Sequence, residues 1–218
     1  MKLSGLHSDN GVREGKRDLP LPESIVKLFG TQTDKEDDPN KHCGRIRTFG
    51  HEKGNWATSI YIPYEGDEDF KDMTKELLLC LRPLEFHIME EFHISLSRTL
   101  SIRHHWIESL VDSLQSKVTA LSSFPCEMTK LRFYVNDEKT RSFLAIEVTS
   151  PSDELKQYVG VVNQCCEEFK LQTYYKDPSF HISIAWCLGD VTSKITDQKM
   201  EELQKIWKSA CADNQEMR

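Results

Sequence analysis

The chain has 218 residues, of which 38% are hydrophobic, and its formal net charge is −7. This length suits one domain, or two small lobes, with a substantial core. The negative charge argues against a protein that coats long nucleic acid by bulk electrostatics. No apolar run is long enough to span a bilayer, so we expect no membrane contact. Any anionic substrate must then be held by local groups in a cleft.

The cysteines and histidines favour neither a disulfide framework nor a metal site. The seven cysteines are odd in number and include no Cys-x-x-Cys pair, which favours free thiols in a reducing compartment. Spacings typical of zinc ligands, His-x3-His and His-Glu-x-x-His, do not occur in the sequence. We therefore expect a protein that binds no metal and no cofactor.

The first fifty residues differ in composition from the remainder. They are poor in aromatic and β-branched side chains and rich in charge, Gly and Pro. A short apolar island runs from Leu19 to Phe29. We expect residues 1–50 to form a mostly disordered leader whose island docks on the folded body, and residues 51–218 to form the domain.

Alternating and helical apolar patterns predict nine elements after the leader. Strands are predicted at about 56–64, 91–98, 128–136, 142–149 and 179–187. Helices are predicted at about 68–82, 104–121, 151–170 and 194–209. Phe70, Met73, Leu77 and Leu81 form the predicted buried stripe of the first helix.

Two of the predicted strands share the tetrapeptide Phe-His-Ile-Ser, eighty-eight residues apart. Strand alternation places His93 and Ser95 on one face of the first copy, and His181 and Ser183 on one face of the second. A single His-x-Ser is usually a surface feature or a satisfied core histidine. A purely structural repeat, however, would preserve the apolar positions, and its polar positions would differ between the two copies. Because the polar positions also match, we predict one site built from both copies.

The repeated tetrapeptide lies inside a repeat of the whole element order. Strand, helix, His-x-Ser strand, helix and strand are followed by the same order without its last strand, which indicates an internal duplication. The predicted fold is α+β, with two pseudo-symmetric lobes that are each an antiparallel sheet backed by helices. Each lobe would bring one His-x-Ser strand to a central cleft. We expect the bilobal domain of residues 51–218 to lack its C-terminal strand or strands.

Two facing imidazoles suit the cleavage of an RNA phosphodiester. They can hold opposite protonation states near neutral pH, so one acts as base and the other as acid. The base would take the proton of a ribose 2′-hydroxyl, and the acid would protonate the departing 5′-oxygen. Ser95 and Ser183 would donate hydrogen bonds to the non-bridging oxygens. The product would be a 2′,3′-cyclic phosphate, and no metal is required.

These motifs resemble those of a known superfamily. Two His-x-[Ser/Thr] motifs about ninety residues apart in an α+β chain are similar to the 2H phosphoesterases. The sequence segments around these motifs resemble those of the branch that processes the 3′ end of U6 small nuclear RNA. The resemblance covers about residues 19–209, and the strings that carry it are 45–49, 54–58, 91–97, 104–106, 147–149 and 175–183.

The resemblance implies a nuclear, monomeric 3′→5′ RNA exonuclease without a cofactor. It would trim the oligouridine end of U6 small nuclear RNA and leave a cyclic phosphate, or a 3′-phosphate if the ring is opened. The matched catalytic positions are His93, Ser95, His181 and Ser183. The matched substrate-binding positions are Tyr175, Asp177, Ser179 and Ile94, with Tyr175 as the aromatic that stacks on the terminal base.

Two alternatives remain open at this point. One is another 2H phosphodiesterase that acts on 2′-5′ oligoadenylate or on small cyclic phosphates. The other is a catalytically impaired form of the same fold that only binds RNA. The residue pattern also leaves open which histidine is the acid and which is the base.

Overall fold

Our computed structural model of the chain describes residues 43–46, 50, 53–150 and 152–216. All of them belong to one unit that spans residues 37–218. The predicted leader, residues 1–50, lies almost entirely outside the described residues. The domain boundaries and the expected missing strand therefore stay predictions.

The described residues form eight strands and four helices. The strands are β1 (Asn55–Thr58), β2 (Tyr61–Tyr64), β3 (His87–Ile88), β4 (Phe92–Ser95), β5 (Leu100–Arg103), β6 (Glu127–Val135), β7 (Arg141–Ser150) and β8 (His181–Leu188). The helices are α1 (Glu68–Cys80), α2 (Ile107–Val118), α3 (Ser152–Glu168) and α4 (Asp197–Glu216). This mixed architecture confirms the predicted α+β class.

The strands β4 and β8, which carry the two tetrapeptides, are neighbours in one sheet. Six strands form an antiparallel sheet in the order β2-β4-β8-β7-β6, with β3 also paired to β8, while β1 and β5 form a separate pair. The sequence pattern predicts each copy on its own sheet, with a cleft between the two. Instead β4 and β8 pair with each other, which satisfies backbone groups that a separate sheet edge would leave open. The candidate site therefore lies along the seam between β4 and β8, within one sheet.

Alternation along the strands separates an apolar face from a polar face. Ile94 of β4 is 4% exposed and Ile182 of β8 is 1% exposed, and both belong to one buried cluster with residues of α1 and α3. Truncating such a residue to Ala costs about 2–5 kcal/mol. The predicted stripe of α1 is confirmed, since all four of its members are buried: Phe70, Met73, Leu77 and Leu81. The helices thus cover the apolar face and leave the polar face for the site.

The start of α1 and the break between β1 and β2 are both fixed by side chains. Asp67 precedes the helix, and its Oδ1 accepts a hydrogen bond from the Phe70 N–H at 2.9 Å, which satisfies a donor at the helix end. The single strand predicted at 56–64 is divided, because the Oγ of buried Ser97 accepts the Ile60 N–H at 2.8 Å. This contact holds β2 against the strand that carries His93.

A bulge in β8 changes which of its residues face outward. Across β7, Ala145 pairs with Ser183 but Leu144 pairs with Ala185, so Ile184 is an extra residue. An extra residue reverses the alternation after it. Consequently Trp186 lies on the same face of the sheet as the polar residues that precede the bulge.

Three further observations concern membrane-spanning helices, cysteines and metal ligands. No helix in the described part of the chain is both long and apolar enough to cross a membrane. All seven cysteines are unpaired, which confirms the prediction of free thiols. Within the same residues, no group of three or more His, Cys, Asp or Glu side chains is placed to hold a metal ion.

Candidate active site

The register of β4 and β8 determines how the two copies meet. The strands run antiparallel with Ile94 directly opposite Ile182. In an antiparallel pair, a step forward on one strand is a step back on the other. The histidine of each copy therefore lies opposite the serine of the other copy.

The four predicted catalytic residues are thus brought together. His93 faces Ser183, and Ser95 faces His181, with cross-strand Cβ separations of about 4.5–5.5 Å expected for such pairs. The four side chains are half-buried and lie on the face opposite the buried isoleucines. One phosphate group above the seam would meet both imidazoles and both hydroxyls.

His181 is held in one orientation by its neighbours. Its Nδ1 lies 2.7 Å from the backbone carbonyl oxygen of Ser179. A carbonyl only accepts, so Nδ1 carries the hydrogen and donates it, and the neutral ring keeps Nε2 free as an acceptor. The ring also stacks on Tyr134, with centroids 3.9 Å apart at 17°. The Tyr134 hydroxyl lies 2.9 Å from Ser179 Oγ, so Tyr134 supports both the ring and the residue that fixes its tautomer.

His93 has a comparable aromatic neighbour. Its ring centroid lies 4.6 Å from that of Tyr61 at an angle of 37°. Its Nδ1 is buried and has no hydrogen-bond partner among the described residues. Proton exchange with a substrate must therefore use the other ring nitrogen, Nε2. Each copy of the motif thus has one tyrosine ring beside its histidine.

Burial lowers the pKa of both histidines below the ordinary value of 6.5. For His93, the carboxylate of Glu91 partly opposes this effect on the pKa. For His181, the Ser179 carbonyl raises the pKa, whereas the positive charge of a protonated His93 lowers it. This repulsion means that the pair holds one proton more readily than two. A pair that shares one proton has the protonation state that acid–base catalysis requires.

The predicted substrate-binding residues fall in three environments. Tyr175 is 42% exposed, and the guanidinium of Arg98 lies 3.7 Å from its ring centroid. Ser179 contacts Tyr134 and His181 as described above. Asp177 is exposed and lies between Tyr175 and Ser179 on the same loop.

Ile94 requires a correction. It was predicted as a substrate-binding residue, but its side chain is 4% exposed and belongs to the core. Strand alternation turns it away from the two histidines that flank the seam. Only its backbone can therefore face a substrate.

Sequence reasoning missed Tyr61, Tyr134 and Arg98. Tyr61 alternates with two isoleucines, so the pattern alone could have placed it on the open face. Tyr134 reaches His181 from β6, two strands away in the sheet, and that proximity depends on long-range register. Arg98 follows β4 and bonds Asp137 at 3.0 Å, and no local sequence signal identifies it.

The chain matches a family model, curated relatives and a solved structure, and the family match includes the whole of this site. The sequence model of the HVSL family, described as an uncharacterised conserved protein, matches residues 19–218. U6 snRNA phosphodiesterase 1 of Mus musculus is 45% identical over 191 residues, which cover 86% of this chain and 72% of that protein. U6 snRNA phosphodiesterase 1 of Homo sapiens is 42% identical over 206 residues, which cover 91% and 78%. A solved structure of Kluyveromyces marxianus Usb1 with uridine monophosphate matches with a TM-score of 0.47 at 15% identity, over 68% of this chain and 80% of that one.

Proposed function

This chain belongs to the HVSL family and is similar over most of its length to U6 snRNA phosphodiesterase 1 of Mus musculus and Homo sapiens, and we propose that it is an RNA phosphodiesterase that processes the 3′ end of U6 small nuclear RNA. It acts as a monomeric 3′→5′ exonuclease on the oligouridine end, in the nucleus. The observation that carries this proposal is the register of β4 and β8, which faces each histidine with the serine of the other copy.

The reaction proceeds by internal attack. One neutral histidine takes the proton of the 2′-hydroxyl on the penultimate ribose, and that oxygen forms a bond to the adjacent phosphorus. The bond from phosphorus to the 5′-oxygen of the terminal nucleoside breaks. The other histidine, protonated beforehand, gives its proton to this oxygen. The shortened RNA keeps a 2′,3′-cyclic phosphate, and a nucleoside with a free 5′-hydroxyl leaves.

The geometry supports both proton transfers. His181 donates through Nδ1 to the Ser179 carbonyl, so its Nε2 accepts a proton when the ring is neutral and holds one when the ring is charged. A correctly placed general acid or base contributes roughly 100- to 10,000-fold in rate. Either histidine fits either role.

Ser95 and Ser183 stabilise the charge that builds on the phosphate. Each hydroxyl lies beside the histidine of the other copy, so both lie around one phosphate. Each donates a neutral hydrogen bond to a non-bridging oxygen, where negative charge increases in the transition state. Loss of either serine should therefore cost less than loss of a histidine.

The exposed ring of Tyr175 receives the terminal base. Stacking on an aromatic side chain contributes about 1–3 kcal/mol per base and reads little sequence. Arg98 lies against the ring and is anchored by Asp137, which holds the tyrosine in place. Asp177 and Ser179 lie on the same loop and complete the nucleotide contacts.

We further infer that the domain consists of two pseudo-symmetric halves. In the order β2-β4-β8-β7, each His-x-Ser strand has the strand that opens its own half on its outer side. An antiparallel pair with Ile94 opposite Ile182 has a local two-fold axis between these residues. A duplicated half would produce this arrangement.

One experiment separates the candidates. Oligouridine labelled at either end is incubated without divalent metal, and the products are resolved by length and end chemistry. The proposal predicts stepwise shortening from the 3′ end with a cyclic phosphate or 3′-phosphate on the remaining RNA. Faster cleavage of 2′-5′ oligoadenylate would favour the other phosphodiesterase activity, and binding without cleavage would favour a protein that only binds RNA.

A further inference from the structure

A groove of about 710 Å³ opens from His93 and contains groups that the proposed reaction does not use. Its far part is lined by two arginines and by aromatic rings: Arg45, Arg141, His87, Phe143 and Trp186. Neither His181 nor Tyr175 is among its lining residues.

Sheet register explains why these residues lie on the face of the site. The bulge in β8 turns Trp186 toward that face, and Trp186 pairs with Phe143 of β7 on one side and His87 of β3 on the other. Two residues before Phe143, Arg141 projects on the same side. Arg45 reaches the groove from a separate segment, and its guanidinium lies 5.2 Å from the Trp186 ring centroid.

The two arginines form a concentrated positive charge. The Arg141 guanidinium lies 5.6 Å from the Phe143 ring centroid, and its Nε is buried without a hydrogen-bond partner among the described residues. Burial and the nearby charge of Arg45 lower the pKa of Arg141, although Glu138 opposes this shift. The rings hold both guanidinium groups by cation–π contact. An anion between the two would relieve their repulsion and supply the missing acceptor.

Among the described residues that line the groove, two are acidic. Glu90 and Glu91 also line it, but they form the wall shared with a second pocket beside β2. Glu91 acts on His93, which places its charge near the catalytic end. The positive end is therefore the part that suits a phosphate.

We propose that Arg45 and Arg141 bind the RNA phosphate that lies one nucleotide upstream of the scissile phosphate. This inference rests on the proposed function, in which the terminal base occupies Tyr175. Because the Tyr175 loop does not line the groove and the groove begins at His93, the RNA that precedes the scissile bond enters it. Phe143 and Trp186 act as platforms that orient the two guanidinium groups. The groove thus adds a phosphate subsite to the seam.

Two dinucleotides that differ by one phosphate test this subsite. Diuridylate with a 5′-hydroxyl lacks the upstream phosphate, and 5′-phosphorylated diuridylate carries it. The kcat/KM of each is compared, together with the Kd of their uncleavable forms with a 2′-deoxy first ribose. The wild-type protein should prefer the phosphorylated form by roughly 10-fold or more, as expected for a charge-assisted contact. The affinity for the phosphorylated dinucleotide should also fall more steeply with salt than that for the unphosphorylated one, by about 0.7 in the slope of log K against log salt concentration.

Variants identify the residues responsible. Arg45→Ala and Arg141→Ala should each remove most of the preference for the 5′-phosphate and leave the affinity for the unphosphorylated dinucleotide nearly unchanged. If the alanine form does not fold, Arg141→Lys serves as a second variant. Lysine keeps the positive charge but loses the bidentate hydrogen-bonding geometry of the guanidinium. Lys208→Ala, which removes an exposed charge on α4, is the matched control and should keep the full preference.

The results distinguish this inference from the proposed function. Equal Kd values for the two uncleavable dinucleotides in wild type, or an unchanged ratio in both arginine variants, would overturn the phosphate subsite. Failure to cleave either substrate would contradict the proposed function, while the Kd ratio would still decide whether the subsite exists.

Discussion

Replacing Tyr134 tests whether the surroundings of His181 control its chemistry. The ring of Tyr134 stacks on His181 at 3.9 Å, and its hydroxyl lies 2.9 Å from Ser179 Oγ. The backbone carbonyl oxygen of Ser179 in turn accepts a hydrogen bond from the His181 Nδ1–H at 2.7 Å. Tyr134→Phe removes only the hydroxyl contact, whereas Tyr134→Leu removes the stacked ring as well.

The structure sets the expected magnitudes. A neutral hydrogen bond contributes about 0.5–1.5 kcal/mol, and this one lies at the exposed edge, so Tyr134→Phe should lower kcat/KM by roughly two- to threefold. An aromatic pair contributes about 0.5–1.5 kcal/mol beyond its buried area, so Tyr134→Leu should lower kcat/KM by roughly 10-fold. Removing the ring also admits water to His181, and since burial lowers the pKa of this residue, its pKa should rise.

The assay is the pH dependence of kcat/KM on oligouridine for the wild type and both Tyr134 variants. Tyr134→Leu should move one limb of the profile to higher pH, and Tyr134→Phe should move neither limb appreciably. Tyr61→Leu is the matched control, because Tyr61 contacts His93 and its loss should move the other limb. Identical profiles for the wild type and both leucine variants would refute the assignment of these limbs to the two histidines.

Three further predictions follow from the two-histidine mechanism. Excess EDTA should leave cleavage unchanged, because the imidazoles supply both proton transfers; loss of activity that magnesium or manganese restores would contradict this. RNA with a 2′-deoxy penultimate ribose should resist loss of its last nucleotide, and ready trimming would show that water is the nucleophile. Burial lowers the pKa of both histidines below 6.5, so the unfolded chain binds more protons at acidic pH than the folded protein does. The contribution of the two neutral histidines to stability is therefore complete above about pH 6.5 and is lost as pH falls through the folded pKa values. The Tm should therefore drop between pH 7 and pH 5 in wild type and drop less in the His93→Gln, His181→Gln double variant; an equal drop in both would contradict it.

The sequence predicted what depends on local periodicity. The helix stripe from Phe70 to Leu81 is buried as expected, because helical spacing alone determines which side chains share a face. Strand alternation likewise placed the polar residues of both tetrapeptides on one face. The short strands β3 and β5, of two and four residues, carry too little pattern to be recognised.

Features that depend on long-range pairing were not predicted. The joining of β4 and β8 in one sheet and the stack of Tyr134 on His181 require the register of strands far apart in the chain. Apolar character was also a poor guide to burial for aromatic residues. Trp56 is 55% exposed, whereas Trp186 is 7% exposed. Alternation indicates a face, and only the pairing of strands determines what covers that face.

The serines and histidines should differ in their effects. Ser95→Ala and Ser183→Ala each remove one neutral hydrogen bond, so each should lower kcat less than the loss of a histidine. Single-turnover rates on oligouridine measure the difference. A serine variant that is as inactive as a histidine variant would indicate a different role for the hydroxyl.

The most direct test of the central claim is the turnover of His93→Ala, His181→Ala and the double variant on oligouridine, with the Tm of each measured in parallel. If both copies form one site, each single variant should lose roughly 100-fold or more in kcat/KM. The double variant should be little worse than the worse single variant, because the two residues act as a unit. All three should remain folded, since these side chains lie on the polar face of the sheet. Full turnover by either well-folded single variant would contradict the two-histidine site.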